Sequence, residues 1–464
     1  MTVERLSRED RFMLWPDRRW PQVNGALLVL DGRPLSDRAG RFQIDRARSF
    51  IESRLERVPR FRQLLYVPPG RLGGPVWVDA RQFDVSEHVT EIAVPGPAGE
   101  AEVLAVVEEL WCRRLDRSRP LWSMCFLTGL PEGRVALFLR IHHAIADGVA
   151  AIATFAGFLD TAPDAGPAAA QPWTASPPPS AGELFRDSLR ERGAAVRRSV
   201  SPLLHPARTF RAVRGVWPAL HEVFADQPLA PTSLDAVVGQ GHNLAPIRTS
   251  LSLMKEIALA HGATVNDVLL ALITAGLRRL LSGRGELEPE MVVRISVPVS
   301  LRLAERAQAR GNLISTMVVP LPVGNPEPTV RLRRIAAETA RRKTISRPSM
   351  AIFPTNRLLG PLMLKAIKRQ RVNVASTNVP GPGQPLYLAG SRILEVLPFL
   401  PLIGNEPLAI GAMSYAGQFN IMAVGDRELV PDLDHFAEGM RDELHQRRVE
   451  LKTERTTRPV PVCS

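Results

Sequence analysis

The chain has 464 residues, more than one hydrophobic core ordinarily serves, so two domains are expected. An apolar share of 45% with 23% charged residues is ordinary for a folded globular chain and excludes disorder along its whole length. The net charge of +12, with a pI near 10.5, selects anionic partners: nucleic acid, acidic lipid headgroups or a phosphate-bearing ligand.

In chain order, Met1 to Trp15 alternates charged with apolar residues and has no run long enough for a signal peptide. Asn24 to Asp31 predicts a strand between Gly25 and Gly32. Phe42 to Val58 has helical spacing, with Ile44, Ala47, Phe50, Ile51, Leu55 and Val58 on one face. Glu100 to Leu115 is a second amphipathic helix. Leu121 to Leu127 and Val135 to Ile141 read as adjacent strands, joined by a turn over residues 129–133. The second of them is apolar almost throughout, which predicts burial on both faces, and it runs directly into His142 and His143. A helix is expected over Val149 to Leu159.

Thr161 to Ser180 shifts to Ala, Pro and Gly and reads as a linker. Phe185 to Gly215 then carries eight arginines against Asp187 and Glu191, interleaved with Leu189, Val196, Val200, Leu203, Leu204, Phe210 and Val213. Two readings stand there: a basic arm lying on an anionic lipid surface, or a solvated helix crossing between domains. A second domain begins near Arg248. Helices are expected over Leu251 to Ala260, Val265 to Leu281, Arg331 to Arg342, Asn356 to Arg369 and Asp432 to Leu451. Strands are expected over Val292 to Val297, Leu313 to Leu321, Val372 to Val379, Ile393 to Leu397 and within Leu408 to Val424. Strands alternate with helices in both halves, so the fold class is α/β (α+β). The boundaries are 1–160 for a first domain, 161–245 for the linker and basic arm, and 246–464 for a second domain. The longest apolar stretches, such as Val268 to Leu277, are shorter than the roughly 20 residues that span a bilayer, so membrane association is expected to be peripheral. Cys112, Cys125 and Cys463 offer neither a disulfide framework nor a Cys-x-x-Cys zinc spacing, and a cytoplasmic setting is the expectation.

Chemistry concentrates in His142-His143-Ala144-Ile145-Ala146-Asp147-Gly148. Consecutive strand side chains point to opposite sides, so only one histidine can face a given cavity while its neighbour packs. An imidazole with a reference pKa of roughly 6.5 can take a proton from an alcohol or thiol at neutral pH. Asp147 either orients this loop or caps the following helix, and Gly148 permits a tight turn. Two packed core histidines and a plain N-cap are the bland alternative. No Glu or third His stands at a ligand spacing, so no metal site is expected. No Gly-x-Ser-x-Gly elbow marks a nucleophilic serine.

His-His-x-x-x-Asp-Gly is the signature of the CoA-dependent acyltransferase superfamily, and the chain more closely resembles the bacterial wax ester synthase/diacylglycerol acyltransferase family. The resemblance covers nearly the whole length in order: Leu6-Ser7 with Asp10, Arg119-Pro120-Leu121-Trp122, His142 to Gly148, Ala263 to Val268, Val297 to Arg302, Gly311-Asn312, Thr377 to Pro382 and Ser414 to Gly417. It implies two chloramphenicol-acetyltransferase-like domains with an active-site tunnel at their interface. It implies that His143 deprotonates an acceptor alcohol, which attacks the acyl-CoA thioester directly without an acyl-enzyme. It implies a structural Asp147 paired with an arginine, for which Arg302 and Arg294 are candidates.

An oxyanion needs a preorganised donor. Asn266 and Asp267 either line the site or sit in an early helical turn, and Ser376, Thr377 and Asn378 either line it or lead into a turn. Lys365, Lys368, Arg369 and Arg371, or Arg331, Arg333, Arg334, Arg341 and Arg342, could meet CoA phosphates, or form solvated helix faces. The expected enzyme moves a long-chain acyl group from acyl-CoA, a co-substrate rather than a resident cofactor, to diacylglycerol or a fatty alcohol. It would work peripherally on the inner membrane face or lipid droplets. The alternatives are an acyltransferase for a polyketide, sterol or amine, and a non-catalytic lipid-surface protein. Nucleic acid is disfavoured, since aromatic residues make up only 6% and no binding motif is present.

Overall fold

Val23–Asp31 (β1) is the spine of the first of two six-stranded sheets in the computed structural model, which describes residues 4–7, 10–11, 14, 16–69, 73–146, 151, 154–164, 173–204, 214, 229, 231–300, 314–344 and 372–457. On one side β1 pairs antiparallel along its full length with Arg134–His142 (β6), and β6 pairs antiparallel with Trp122–Thr128 (β5). Val89–Ala93 (β4) lies parallel to β5, joined to it through the helix Glu100–Cys112 (α2). On its other side β1 pairs with Ser391–Phe399 (β12), a strand from the second half of the chain, which is edged by the short Tyr387–Leu388 (β11). Gln63–Tyr66 (β2) and Val76–Asp79 (β3) form a separate ribbon.

The alternation of β6 gives this sheet two buried faces. Leu137, Leu139 and Ile141 meet the helix Ile44–Arg54 (α1) through Phe50 and Ile51. Ala136 and Phe138 face α2 through Val107 and Trp111. Gly25 on β1 has to be glycine, because a Cβ there would lie 2.5 Å from the Trp111 ring. Arg140 reaches back to α2, donating to the carbonyls of Leu110 and Arg113 and, at 3.0 Å, to Ser123 Oγ. Its guanidinium satisfies the open end of the helix, and burial pulls it down to about 10.

The second sheet runs in the order His242–Ser250 (β7), Gln418–Asp426 (β14), Leu408–Tyr415 (β13), Val372–Pro380 (β10), Val293–Ser300 (β8) and Ile314–Leu321 (β9). Leu251–Ala260 (α4), Val265–Gly283 (α5), Pro328–Lys343 (α6) and Leu433–Thr457 (α7) contribute Met254, Leu269, Ile335 and Phe436 to its core. α5 is buried without a break from Asp267 to Leu277, as a core helix is. Among the described residues, no single helix is long and apolar enough to cross a membrane. The basic stretch after the linker forms a long helix, Ala181–Leu204 (α3).

Two expectations need correction. β7 was not anticipated: Pro246 interrupts its pattern, and proline is tolerated there because β7 is an edge strand. The expected boundary between 245 and 246 therefore cuts a strand, and the second half lends β11 and β12 to the first sheet. The stretch 408–424 resolves into the β13–β14 hairpin, with Ala416 and Gly417 at positive φ as a tight two-residue turn requires. Of the helix expected over 149–159, the described residues 151, 154 and 155 are helical and Ala156–Phe158 closes it as a 3-10 turn, while the helix expected over 356–369 lies outside the described residues.

Candidate active site

The turn after β6 is fastened from several directions. The His142 amide donates to Leu121 O at 3.0 Å, the His143 amide to Gln22 O at 2.8 Å and the Ile145 amide to His142 O at 2.9 Å. Asn24 Nδ2 donates to Ala146 O at 3.2 Å. Leu121 is itself held by its neighbour Trp122, whose indole donates to Phe61 O and stacks between Phe61 and His88. The backbone path through both histidines is thus set by β1, β5 and the residues leading into β1.

His142 is buried, and both ring nitrogens face protein atoms. The Ala144 amide donates to Nδ1 at 3.0 Å. That bond uses the Nδ1 lone pair, so the ring proton of the neutral form resides on Nε2. Nε2 lies 3.2 Å from Asp17 Oδ1, an electrostatic contact rather than an aligned hydrogen bond. Asp17 is buried as well, accepts from the Gln22 amide at 2.8 Å and pairs with Arg117. Burial works to raise the Asp17 carboxyl, but the His142 ring, the Gln22 amide and Arg117 together hold it far below the usual carboxylate range. His143, the next residue along the turn, is half-buried. A lone-pair site is therefore closed on His142 by geometry alone.

Of the other candidates, Asp147, Gly148 and Arg302 lie outside the described residues. Arg294 is buried on β8. Asp267 is the third residue of a capping box: Oδ2 accepts from the Thr264 amide at 2.8 Å and its hydroxyl at 2.7 Å, while Oδ1 accepts from Thr339 at 2.6 Å. Its acceptors are engaged inside the helical layer, so the early-helix reading describes it, and Asn266 stands half-buried beside it. Ser376, Thr377 and Asn378 follow one another on β10. Alternation puts Ser376 and Asn378 on the side of Val374, in the core under the helices, and Thr377 on the side of Ala375 and Val379, which pack with residues of the first sheet. Of the basic cluster on α6, Arg331 is buried against Glu443 at 2.7 Å and Arg342 donates to Val318 O at 2.6 Å, so these two are core groups rather than phosphate ligands. Arg334 and Arg341 pair with Glu290 and Glu338. The other basic cluster, 365–371, lies outside the described residues.

Asp17, Gln22 and Asn24 carry much of the support for the turn, and sequence reasoning missed all three. Asp17 sits in a basic stretch with no periodic signal, and only the fold brings it under His142. Cys112, whose Sγ is 3.3 Å from His242 Nδ1, is not an activated thiol: burial raises the thiol and lowers the imidazole to about 4.

Comparison with known proteins bears on this turn and on the whole chain. Residues 6–269 match the model of the wax ester synthase/diacylglycerol acyltransferase catalytic domain, and residues 310–447 match the C-terminal domain of the same family. The chain belongs to this family. It is therefore an acyltransferase by membership. Probable and putative diacylglycerol O-acyltransferases of Mycobacterium tuberculosis and Mycobacterium bovis are each 30% identical over 443 residues, spanning 92% of this chain and 91% of theirs. The wax ester synthase/diacylglycerol acyltransferase of Marinobacter aquaeolei superposes with a TM-score of 0.69 at 23% identity, covering 97% of this chain and all of that one. The first condensation domain of the calcium-dependent antibiotic synthetase follows with a TM-score of 0.60 at 16% identity, over 96% of both chains. At these identities the two structures share the fold.

The family's other recurring segments have structural roles here. Ser7 Oγ donates to Asp10 at 2.7 Å and accepts the Asp10 amide at 3.0 Å. Gly381 comes so close to Ser414 O that a Cβ would sit 2.2 Å from it. The Tyr415 hydroxyl donates to Ile393 O at 3.1 Å and accepts the Leu386 amide at 2.8 Å, tying the second sheet to β12.

Proposed function

We propose that this acyltransferase moves a long-chain acyl group from acyl-CoA to a diacylglycerol or a fatty alcohol, with His143 as general base. The observation that carries the assignment is the state of its neighbour. His142 has its Nδ1 lone pair taken by the Ala144 amide and its Nε2 against Asp17, so of the two adjacent imidazoles it is the one that cannot accept a substrate proton. His143 would take the acceptor hydroxyl proton as the oxygen attacks the thioester carbonyl carbon. The tetrahedral intermediate then collapses, the carbon–sulfur bond breaks, and the imidazolium returns the proton to the departing CoA thiolate. No acyl-enzyme is required, because a thioester is already activated.

Thr377, on the β10 face shared with Ala375 and Val379, is the described candidate best placed to donate to the developing oxyanion, since those neighbours pack across to the first sheet. Asp147 would support the turn through an arginine, with Arg294 the described candidate. The reading also takes the enzyme to the inner membrane face or a lipid droplet, because its acceptor dissolves in lipid rather than in water. Purified protein with palmitoyl-CoA should release free thiol only when hexadecanol or dipalmitoylglycerol is supplied. Release that ignores the acceptor, or none with any alcohol, sinks the reading.

A further inference from the structure

α3 is anchored by one face and leaves the other bare. Leu184 and Ser188 are buried, and Arg5 from the N-terminal segment pairs with Asp187 and donates to Leu184 O at 3.2 Å. Arg11 adds a 3.0 Å contact to Glu191. These contacts fix which side of the helix meets the protein. The outward side should then be polar if the helix only borders water. Instead Phe185, Leu189 and Val196 are exposed by 51, 50 and 61%. At 3.6 residues per turn the three fall within about 40° of one another around the helix. Arg186, Arg190 and Arg197, all exposed, form a second row of similar width about 100° further round.

An apolar stripe bordered by a cationic row is the pattern of a helix lying in the headgroup region of an anionic bilayer. Apolar side chains enter the acyl boundary, while arginines extend their guanidinium groups along it to the phosphates. The net charge of +12 attracts the whole protein to the same surface. We propose that the outward face of α3 docks this enzyme on an anionic phospholipid surface, with Phe185, Leu189 and Val196 inserted and Arg186, Arg190 and Arg197 on the headgroups. The protein-facing ion pairs of Arg5 and Arg11 hold that face outward, so binding requires no exposure of the core. This deepens the lipid-acceptor reading given above by naming the surface where the acceptor would be met, but it stands on geometry that does not depend on turnover.

The test is flotation of the full chain with phosphatidylcholine vesicles, with and without phosphatidylglycerol. The wild type should float with the anionic vesicles and stay behind with the neutral ones. Phe185→Ser, Leu189→Ser and Val196→Ser combined should weaken flotation by more than about ten-fold. Arg186→Gln, Arg190→Gln and Arg197→Gln combined should weaken it by about a hundred-fold, near five-fold for each charge. All six side chains are exposed, so both triple variants should melt like the wild type and keep their turnover of acyl-CoA with a detergent-dispersed alcohol. Equal flotation of wild type and variants overturns the proposal, as does a wild type that ignores anionic vesicles. A wild-type dimer that the serine variant dissolves in the absence of lipid also overturns it, by making a second copy the occupant of the stripe. A protein that floats as described but transfers no acyl group keeps the docking surface and removes only the acyltransfer reading.

Discussion

The Ala144 amide on Nδ1 and the Asp17 carboxylate opposite Nε2 fix the His142 ring by two different forces, one a hydrogen bond and one largely charge. Replacing Asp17 with Asn keeps the shape and removes the charge, so it isolates the second. Leaving the buried His142 ring and the Arg117 guanidinium without that carboxylate should cost about 2–4 kcal/mol at neutral pH. Because the Asp17 carboxyl is held below its ordinary value, its contribution is present above the usual carboxylate range and is lost as pH falls through the lowered one. Thermal melts of wild type and Asp17→Asn should differ most near neutrality and converge in strong acid; a gap independent of pH would show that the charge does nothing. The two histidines were legible because they are adjacent and end an apolar strand. Asp17 was not, since nothing local connects it to a residue so far along the chain.

At the scale of single elements, the start of α5 decides between the two readings its sequence leaves open. Thr264-Val265-Asn266-Asp267 has the Thr-x-x-Asp spacing of a capping box, and the structure uses it as one. Asp267→Ala should lower stability by about 2–3 kcal/mol, because it uncaps α5 and strips Thr339 of its acceptor. Turnover per folded molecule should hold, which denaturant unfolding and an activity assay together would check. The amphipathic periods of α1, α2 and α7 were legible in the sequence, since each buries one face. β7 was not, because an edge strand bearing Pro246 lacks a strong alternation, and β2 and β3 are too short to give one.

For the molecule as a whole, what matters is the seam where β12, carried by the first sheet, lies across the second. Gln418 Nε2 donates to Leu394 O at 3.1 Å and Asn420 Nδ2 to Val396 O at 3.2 Å, supplying partners that β12 lacks along its outer edge. Gly411 makes the approach possible, since a Cβ there would stand 2.5 Å from Pro398 O. Gly411→Val should therefore cost about 2–3 kcal/mol or more and loosen both halves together in a thermal melt. Glu406, in the loop from β12 back to β13, is pushed up to about 7 by burial, with the Ser296 hydrogen bond opposing. A carboxyl raised on folding favours its protonated form, so this group costs stability as pH climbs from the ordinary range through 7. Glu406→Gln should then gain on the wild type by on the order of 2 kcal/mol between acid and mildly alkaline melts. No local pattern announces such a seam; two distant stretches create it by packing. Acyl transfer by His143 within this frame is tested most directly by thiol release from palmitoyl-CoA in the presence of hexadecanol or dipalmitoylglycerol, comparing wild type with His143→Ala. The account predicts acceptor-dependent release that falls by about 10²–10⁴-fold in the variant with an unchanged melting curve; a folded His143→Ala enzyme that keeps its full rate would contradict it.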